Sequence, residues 1–258
     1  MERLREKRSS GLSAGTLRGW GMFFLATGVI GRCLLQRELL GVGTISAEQL
    51  LEAMQASQSA MLLATMSLVL QAMETCAIPV FALLLVEGFQ HTSSFRNYLL
   101  RVLGTALLAE IPYNLAMSGS FLDLSSRNPL FGPVLALVML FFYKRYEAKC
   151  TQNFFIKLVV TAAGLLWPLM LNAEHGFALI AAVCILWAFR KKALYRNFAG
   201  VSVMALCSIL SPFYLAAPMG FLAIHFYNGE RGSDNRFVNY LFYPAMLLVV
   251  GLIGTFVL

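Results

Sequence analysis

Ile78-Pro79-Val80-Phe81-Ala82-Leu83-Leu84-Leu85-Val86-Glu87-Gly88-Phe89-Gln90-His91-Thr92 is followed, after a short polar turn, by a second apolar run over residues 98–113. Two apolar runs meet head to tail here. Each carries ionisable groups where hydrocarbon solvates them poorly. Glu87 stands near the end of the first run, and His91, Arg96 and Arg101 gather at the turn. Glu110 lies well inside the second, directly before Ile111-Pro112-Tyr113. Charges inside a bilayer are costly and mark functional positions by default.

Composition extends this reading to the whole chain. Hydrophobic residues make up 59% and charged residues 13% of the 258, with a mean hydropathy of +0.70. A soluble domain carries roughly 45–50% apolar and about 25% charged residues. The chain therefore reads as an all-α, polytopic membrane protein in one bundle, with residues 17–258 as a single transmembrane domain behind a basic, cytoplasmic segment 1–16. The net charge of +7 would suggest nucleic acid in a soluble protein. Here the basic residues fall between apolar runs, which points to loops facing anionic lipid and not to nucleic acid. The lipid bilayer is the expected partner. Cys33, Cys76, Cys150, Cys184 and Cys207 form no C-x-x-C pair, so they read as small buried thiols, and no metal site is expected.

The first span covers residues 17–35. It lacks a small-residue cleavage site and continues into Arg32 and Arg37, so it reads as retained. Gly41-Val42-Gly43 then breaks the chain, and Ser46 with Gln49 predicts a capping box opening an amphipathic surface helix with Leu50, Leu51 and Met54 on one face. The run 61–89 would be about 43 Å long as one helix, against a hydrocarbon core of about 30 Å. Thr75 and Pro79 interrupt it, which predicts a break with Glu74 beside it. Further spans are expected at 98–117, 129–143, 154–171, 176–189, 198–210, 213–226 and 237–257.

Charge decides the topology. With the N-terminus cytoplasmic and the broken element crossing once, only Arg32, Arg37 and Arg127 of the 20 Lys and Arg face outward. Crossing twice would move every later basic loop outside, against the positive-inside tendency. About nine transmembrane helices follow, with the N-terminus in and the C-terminus out. On this topology Glu174 and His175 lie in an outer loop, where His175 is expected to be solvated.

Phe81-Ala82-Leu83-Leu84-Leu85-Val86-Glu87-Gly88-Phe89, His91-Thr92, Tyr98-Leu99-Leu100-Arg101 and Glu110-Ile111-Pro112-Tyr113 resemble the central signature of the TraX family. So do Tyr227-Asn228-Gly229-Glu230-Arg231-Gly232 and Tyr240-Leu241-Phe242-Tyr243-Pro244 near the end. That family consists of multi-spanning bacterial membrane proteins, and its namesake N-acetylates the amino terminus of conjugative pilin. The resemblance implies a bacterial inner-membrane acyl(acetyl)transferase, with acetyl-CoA as donor substrate. The acceptor would be an amine or hydroxyl, on a protein N-terminus, a small molecule or a glycan. It also implies a basic residue in the first span, met by Arg18, and an Asp-His pair followed one residue later by Gly. Here that stretch reads Gly28-Val29-Ile30-Gly31, and the last span's Tyr-Pro-x-His reads Tyr243-Pro244-Ala245-Met246. The alternative implied is a catalytically degenerate member acting as a membrane scaffold or binding subunit. Acetyl transfer is expected to be weak unless His91 or His225 serves as base, and Gly28→Asp with Val29→His to test the loss.

The candidate catalytic residues are Glu87, His91, Glu110 and His225. Glu87 and His91 share a helix face if the helix reaches His91, so Glu87 can set the imidazole tautomer. Equally, Glu87 can pair with Arg101 across the turn. Glu110 can be a protonated carboxyl holding the kink at Pro112, or a residue facing a cavity. His225 can be a base or a packing histidine. Arg96, Arg101, Arg231 and Arg236 are the candidate cations for donor phosphates, a role that positive-inside bias explains equally well.

Overall fold

A computed structural model describes residues 11–233 and 235–257, apart from the side chain of Arg236. Residues 1–10, most of the expected basic N-terminal segment, lie outside the described residues. The described chain is helical, joined by turns and three isolated backbone bridges.

Helix α1 (Ala14–Ile30) starts at Ser13, whose side chain accepts from the Thr16 N–H, and runs directly into a π-helical stretch, Gly31–Leu39. π-Turns inside helices re-aim side chains and often sit at functional sites. This one carries Arg32. The expected capping box forms between Ser46 and Gln49 at the start of α2 (Ala47–Ala56), and no residue of that helix is buried. A surface helix fits both facts.

The long apolar run is broken where the sequence indicates. Helices α3 (Gln58–Thr75) and α4 (Ala77–His91) are separated by Cys76 alone. Cys76 keeps a right-handed helical backbone (φ −63°, ψ −22°), so the chain continues onward and does not double back. Pro79 falls in the first turn of α4, where its missing N–H costs little.

Helix α5 (Phe95–Ser118) follows, then α6 (Phe131–Arg145), α7 (Thr151–Met170), α8 (Gly176–Ala188) and α9 (Ala193–Cys207). The expected span 213–226 is not one helix. It is two 3₁₀ turns, Pro212–Leu215 and Ala217–Met219, ahead of the short α10 (Gly220–His225). Pro212 and Pro218 each remove a donor and disfavour continuous α-helix. Side chains of the break in α3–α4 take up the corner instead: Thr75 Oγ1 donates to the Phe213 carbonyl at 3.0 Å, and Cys76 Sγ to that of Ala216 at 3.2 Å. Helix α11 (Arg236–Phe256) closes the chain against α5.

Helix α8 is apolar all round, as a central helix must be. Ala178, Leu179, Ile180, Ala182, Val183 and Leu186 are buried in it, against α4, α6, α7 and α9. Helix α7 instead exposes Phe154, Phe155, Leu158, Val159, Leu166 and Trp167, an apolar face for lipid and not for water. Among the described residues, three segments are long and apolar enough to cross a membrane: Gln58–His91, Thr151–Met170 and Phe237–Phe256. Gly176–Ala188, Ala193–Cys207 and Pro212–His225 are apolar but shorter. The protein is an all-helical membrane protein.

The corner at α10 depends on Gly220. A Cβ there would lie 2.3 Å from the Cys76 carbonyl oxygen and 2.5 Å from Pro79 Cγ, so the backbones could not stay in contact. Overpacking of this kind costs about 1–3 kcal/mol. Gly220→Ala is expected to lower the thermal midpoint of detergent-solubilised protein clearly. Gly104→Ala, on an exposed helical position with no atom within 4 Å of the new methyl, is expected to leave it unchanged or raise it.

Candidate functional site

Three largely buried charges meet at one point. Glu74, at the end of α3, has a side chain only 2% exposed. Arg32 reaches it from the π-turn: Nη2 donates to both carboxylate oxygens at 2.8 Å. The other terminal nitrogen, Nη1, pairs with Glu174, just ahead of α8. A ladder of polar contacts seats α1 against α3 below this point. Thr27 Oγ1 donates to the Leu70 carbonyl (3.3 Å), Ser67 Oγ to that of Gly31 (3.0 Å), and Gln71 Nε2 to Gln36 Oε1 (3.0 Å). One cation thus bridges two carboxylates, which is how buried charge is tolerated in a medium of low dielectric constant.

Gly28 makes room for this bridge. A Cβ on Gly28 would stand 1.9 Å from Glu74 Oε2. Gly28→Asp with Val29→His would therefore not simply restore a base. It would force a second carboxylate onto Glu74 and an imidazole into the fully buried position of Val29. Met246 packs against the same apolar cluster as Val29.

His175 is not solvated, which corrects the sequence expectation. Its side chain is 17% exposed, and Nε2 lies 3.8 Å from both Glu74 Oε2 and Glu174 Oε1. Nδ1 is 3.1 Å from the Tyr214 hydroxyl, in the first 3₁₀ turn, while Nε2 is buried without a hydrogen-bond partner. The backbone of His175 is left-handed (φ 55°), a conformation in which His is less disfavoured than most residues. The turn is held from outside the helix. The Arg127 N–H donates to the Asn172 carbonyl (3.0 Å), and the Glu174 N–H to that of Arg127 (3.1 Å).

That contact explains Glu110. It is paired with Arg127 and does not line the large cavity. Its Oε1 accepts from Arg127 Nη1 at 3.0 Å, and its Oε2 accepts from Asn128 Nδ2 at 2.5 Å. Asn128 Nδ2 also donates to the Ala106 carbonyl, and Asn128 is fully buried. Glu110 therefore draws residues 127–128 down into the bundle, and Arg127 in turn fixes the turn that bears Glu174 and His175. The carboxylate that stood out in the sequence is tied to the loop at Arg127 and Asn128.

A cavity of about 760 Å³ leads to this cluster. Arg18, Glu87, His91, Arg101, Tyr227 and Arg231 line one part of it; Glu74, His175, Leu130 and Tyr243 line another. Burial, with a smaller contribution from Glu87, pushes the Tyr227 phenol up to about 12, so it remains a donor at neutral pH. Tyr243 is buried and its hydroxyl has no hydrogen-bond partner. A second, smaller cavity of about 380 Å³ touches the cluster elsewhere, lined by Arg32, Arg37, Tyr113, Ser126 and Glu174. Tyr113 joins it to the cluster by donating to Glu174 Oε2 at 3.2 Å.

The sequence-derived candidates divide accordingly. Glu87 and His91 share a helix end, with His91 Nδ1 3.5 Å from Glu87 Oε2. No ion pair joins Glu87 to Arg101, whose guanidinium lies over the Tyr240 ring at 5.9 Å. The turn carries the two side chains to different partners. His91 is 77% exposed. Arg101 and Arg231 line the large cavity and Arg96 does not. The side chain of Arg236 lies outside the described residues. His225 is exposed, 3.4 Å from Asn197 Nδ2, and does not line the cavity. Among the described residues, no group of three His, Cys, Asp or Glu is arranged to hold a metal ion. A family model described as TraX, "TraX protein", matches residues 49–254, most of the chain. No curated protein and no solved structure matches.

Removing one partner of a buried ion pair costs about 3–5 kcal/mol. Arg32→Gln is expected to destabilise the solubilised protein strongly, because it strands two carboxylates. Glu74→Gln is expected to cost less, since Arg32 keeps Glu174, and the double variant should be coupled, not additive. Glu87→Gln and Arg101→Gln should add independently. Additive losses at Arg32 and Glu74 in a double-mutant cycle on thermal stability would contradict the bridge.

Proposed function

The chain belongs to the TraX family, and from that premise we propose that it is a membrane acetyltransferase that moves an acetyl group from acetyl-CoA to an amine or hydroxyl. The reading rests on one observation: a single cavity lined by Arg18, Arg101 and Arg231 is also lined by the buried Glu74 and Tyr243 and by the partly buried His175. A thioester donor needs both features. Its phosphates call for cations, of which Arg is well suited. Its acyl end calls for a place with little water and groups able to move a proton. The apolar wall between, with Ile78, Phe81, Leu84 and Leu85, suits the uncharged arm of the donor. The volume lies within the range of about 300–1,000 Å³ usual for small-molecule sites.

The charge pattern of the loops supports a cytoplasmic N-terminus in a bacterial inner membrane, with the basic end of the cavity facing the cytosolic donor. A second reading, a scaffold or binding subunit without turnover, draws on Val29 and Met246, which offer no base where the family resemblance implies one. The partly buried imidazole of His175 favours the enzyme.

Radiolabelled acetyl-CoA tests this directly. Membranes holding the protein are expected to label a short peptide with a free amino terminus, or glucosamine, above control membranes. Arg101→Gln with Arg231→Gln should raise the KM for the donor about ten-fold or more, as expected when a charge-assisted contact worth roughly 1.5–3 kcal/mol is lost. No transfer to either acceptor, together with no binding of acetyl-CoA, would favour the scaffold.

A further inference from the structure

We propose that His175 is the catalytic base of the transfer, and that the acceptor reaches it through the small cavity beside Arg32, Tyr113 and Glu174. This deepens the acetyltransferase reading and rests on it. Three observations converge. Nε2 of His175 is buried and has no hydrogen-bond partner, although the ring lines the large cavity. Glu74 and Glu174 both face that nitrogen, at 3.8 Å each. Tyr243 lines the same cavity with a buried hydroxyl that is also unpartnered. Buried polar atoms are almost always satisfied, so two such atoms on one cavity are what a site awaiting a polar ligand would show.

The electrostatics suit a base. Arg32 and Arg127 face three carboxylates, Glu74, Glu110 and Glu174, so the charged core lacks one positive charge. Positive charge that forms on the ring during the transfer is balanced by these carboxylates. Tyr214 holds the other ring nitrogen. When Nδ1–H donates to its hydroxyl, Nε2 carries the lone pair, the arrangement that an orienting group gives a catalytic histidine. Glu74 and Glu174 then stabilise the imidazolium as it forms and keep it near the reacting atoms.

The step balances as a simple acyl transfer. The acceptor's O–H or N–H gives its proton to Nε2 while its lone pair attacks the thioester carbonyl carbon. The carbonyl oxygen becomes an oxyanion, to which the Tyr243 O–H donates. The carbon–sulfur bond breaks, and the thiolate takes the proton back from Nε2. The products are the acetylated acceptor, free CoA thiol and a neutral ring. The two cavities give the reactants separate approaches. The donor occupies the one with Arg18, Arg101 and Arg231, and the acceptor enters the one lined by Arg32, Arg37, Tyr113, Ser126 and Glu174. Glu174 lines the second cavity and His175, its neighbour in the chain, lines the first.

The test uses the full chain in membranes, with acetyl-CoA as donor and the peptide and glucosamine as acceptors. His175→Gln is expected to lower turnover at least about 100-fold, the usual scale of general-base help, with the KM for acetyl-CoA little changed. His225→Ala, outside the cavity lining, should stay within a few-fold of the unaltered protein. Diethyl pyrocarbonate, which acylates free imidazole nitrogen, should inactivate the unaltered protein with modification at His175 by peptide mass spectrometry, and acetyl-CoA should protect it. That arm holds even if His175→Gln folds poorly. In a Cys150→Ser background, Ser126→Cys labelled with a charged thiol reagent should block transfer without displacing acetyl-CoA. Full turnover in His175→Gln, or inactivation with His175 unmodified, overturns the assignment of the base. Undiminished transfer by labelled Ser126→Cys overturns the acceptor route. An unaltered protein that transfers nothing overturns the acetyltransferase reading itself, and the base falls with it.

Discussion

A guanidinium held between two carboxylates inside an apolar bundle is the constraint to which the other features answer. Arg32 bonds both oxygens of Glu74 and also pairs with Glu174. Any one of these charges left alone at that depth would cost several kcal/mol, so the three must be assembled together. Each neighbouring feature serves that assembly. The π-turn after α1 presents Arg32. Gly28 leaves space for the Glu74 carboxylate. The break at Cys76 ends α3 directly after Glu74 and lets Thr75 and Cys76 bind the turns that carry Tyr214. The network from Glu110 through Arg127 and Asn128 anchors the turn that delivers Glu174 and His175.

Much of the fold was legible in the sequence. Composition gave the membrane class, Ser46 and Gln49 gave the capping box, and Thr75 and Pro79 gave the broken helix. These are local signals, and local physics decides them. The stretch expected as a span at 213–226 is not one continuous α-helix, because hydropathy does not distinguish an apolar helix from apolar 3₁₀ turns; Pro212 and Pro218 were the available warning. The site was harder to read. Glu110 was conspicuous inside its run, but its partner lay in a loop that folds back toward it. His175 looked like a loop residue because nothing local shows that the loop is drawn inward. A usable signal did exist. Arg32, Glu74 and Glu110 each interrupt an apolar run without an opposite charge on the same helix face, so each had to find one on another element.

The structure also shows what fills the first-span positions where the resemblance implies an Asp-His pair. Gly28 and Val29 are not empty places in a damaged site. One is filled by the Glu74 carboxylate and the other is core. On the proposed reading the acid–base groups come from different elements: Glu74 from α3, Glu174 and His175 from the turn before α8, and Tyr243 from α11. Glu74, His175 and Tyr243 line the large cavity and Glu174 the small one, and Arg32 joins Glu74 to Glu174 between them.

The most direct measurement is an experimental structure of the full chain with acetyl-CoA bound. The account requires the donor in the large cavity, its phosphates among Arg18, Arg101 and Arg231, and its thioester carbonyl within hydrogen-bonding reach of Tyr243 and close to Nε2 of His175. Arg32 should still bridge Glu74 and Glu174. A donor bound elsewhere, or a cavity filled by lipid chains in the presence of saturating acetyl-CoA, would contradict it.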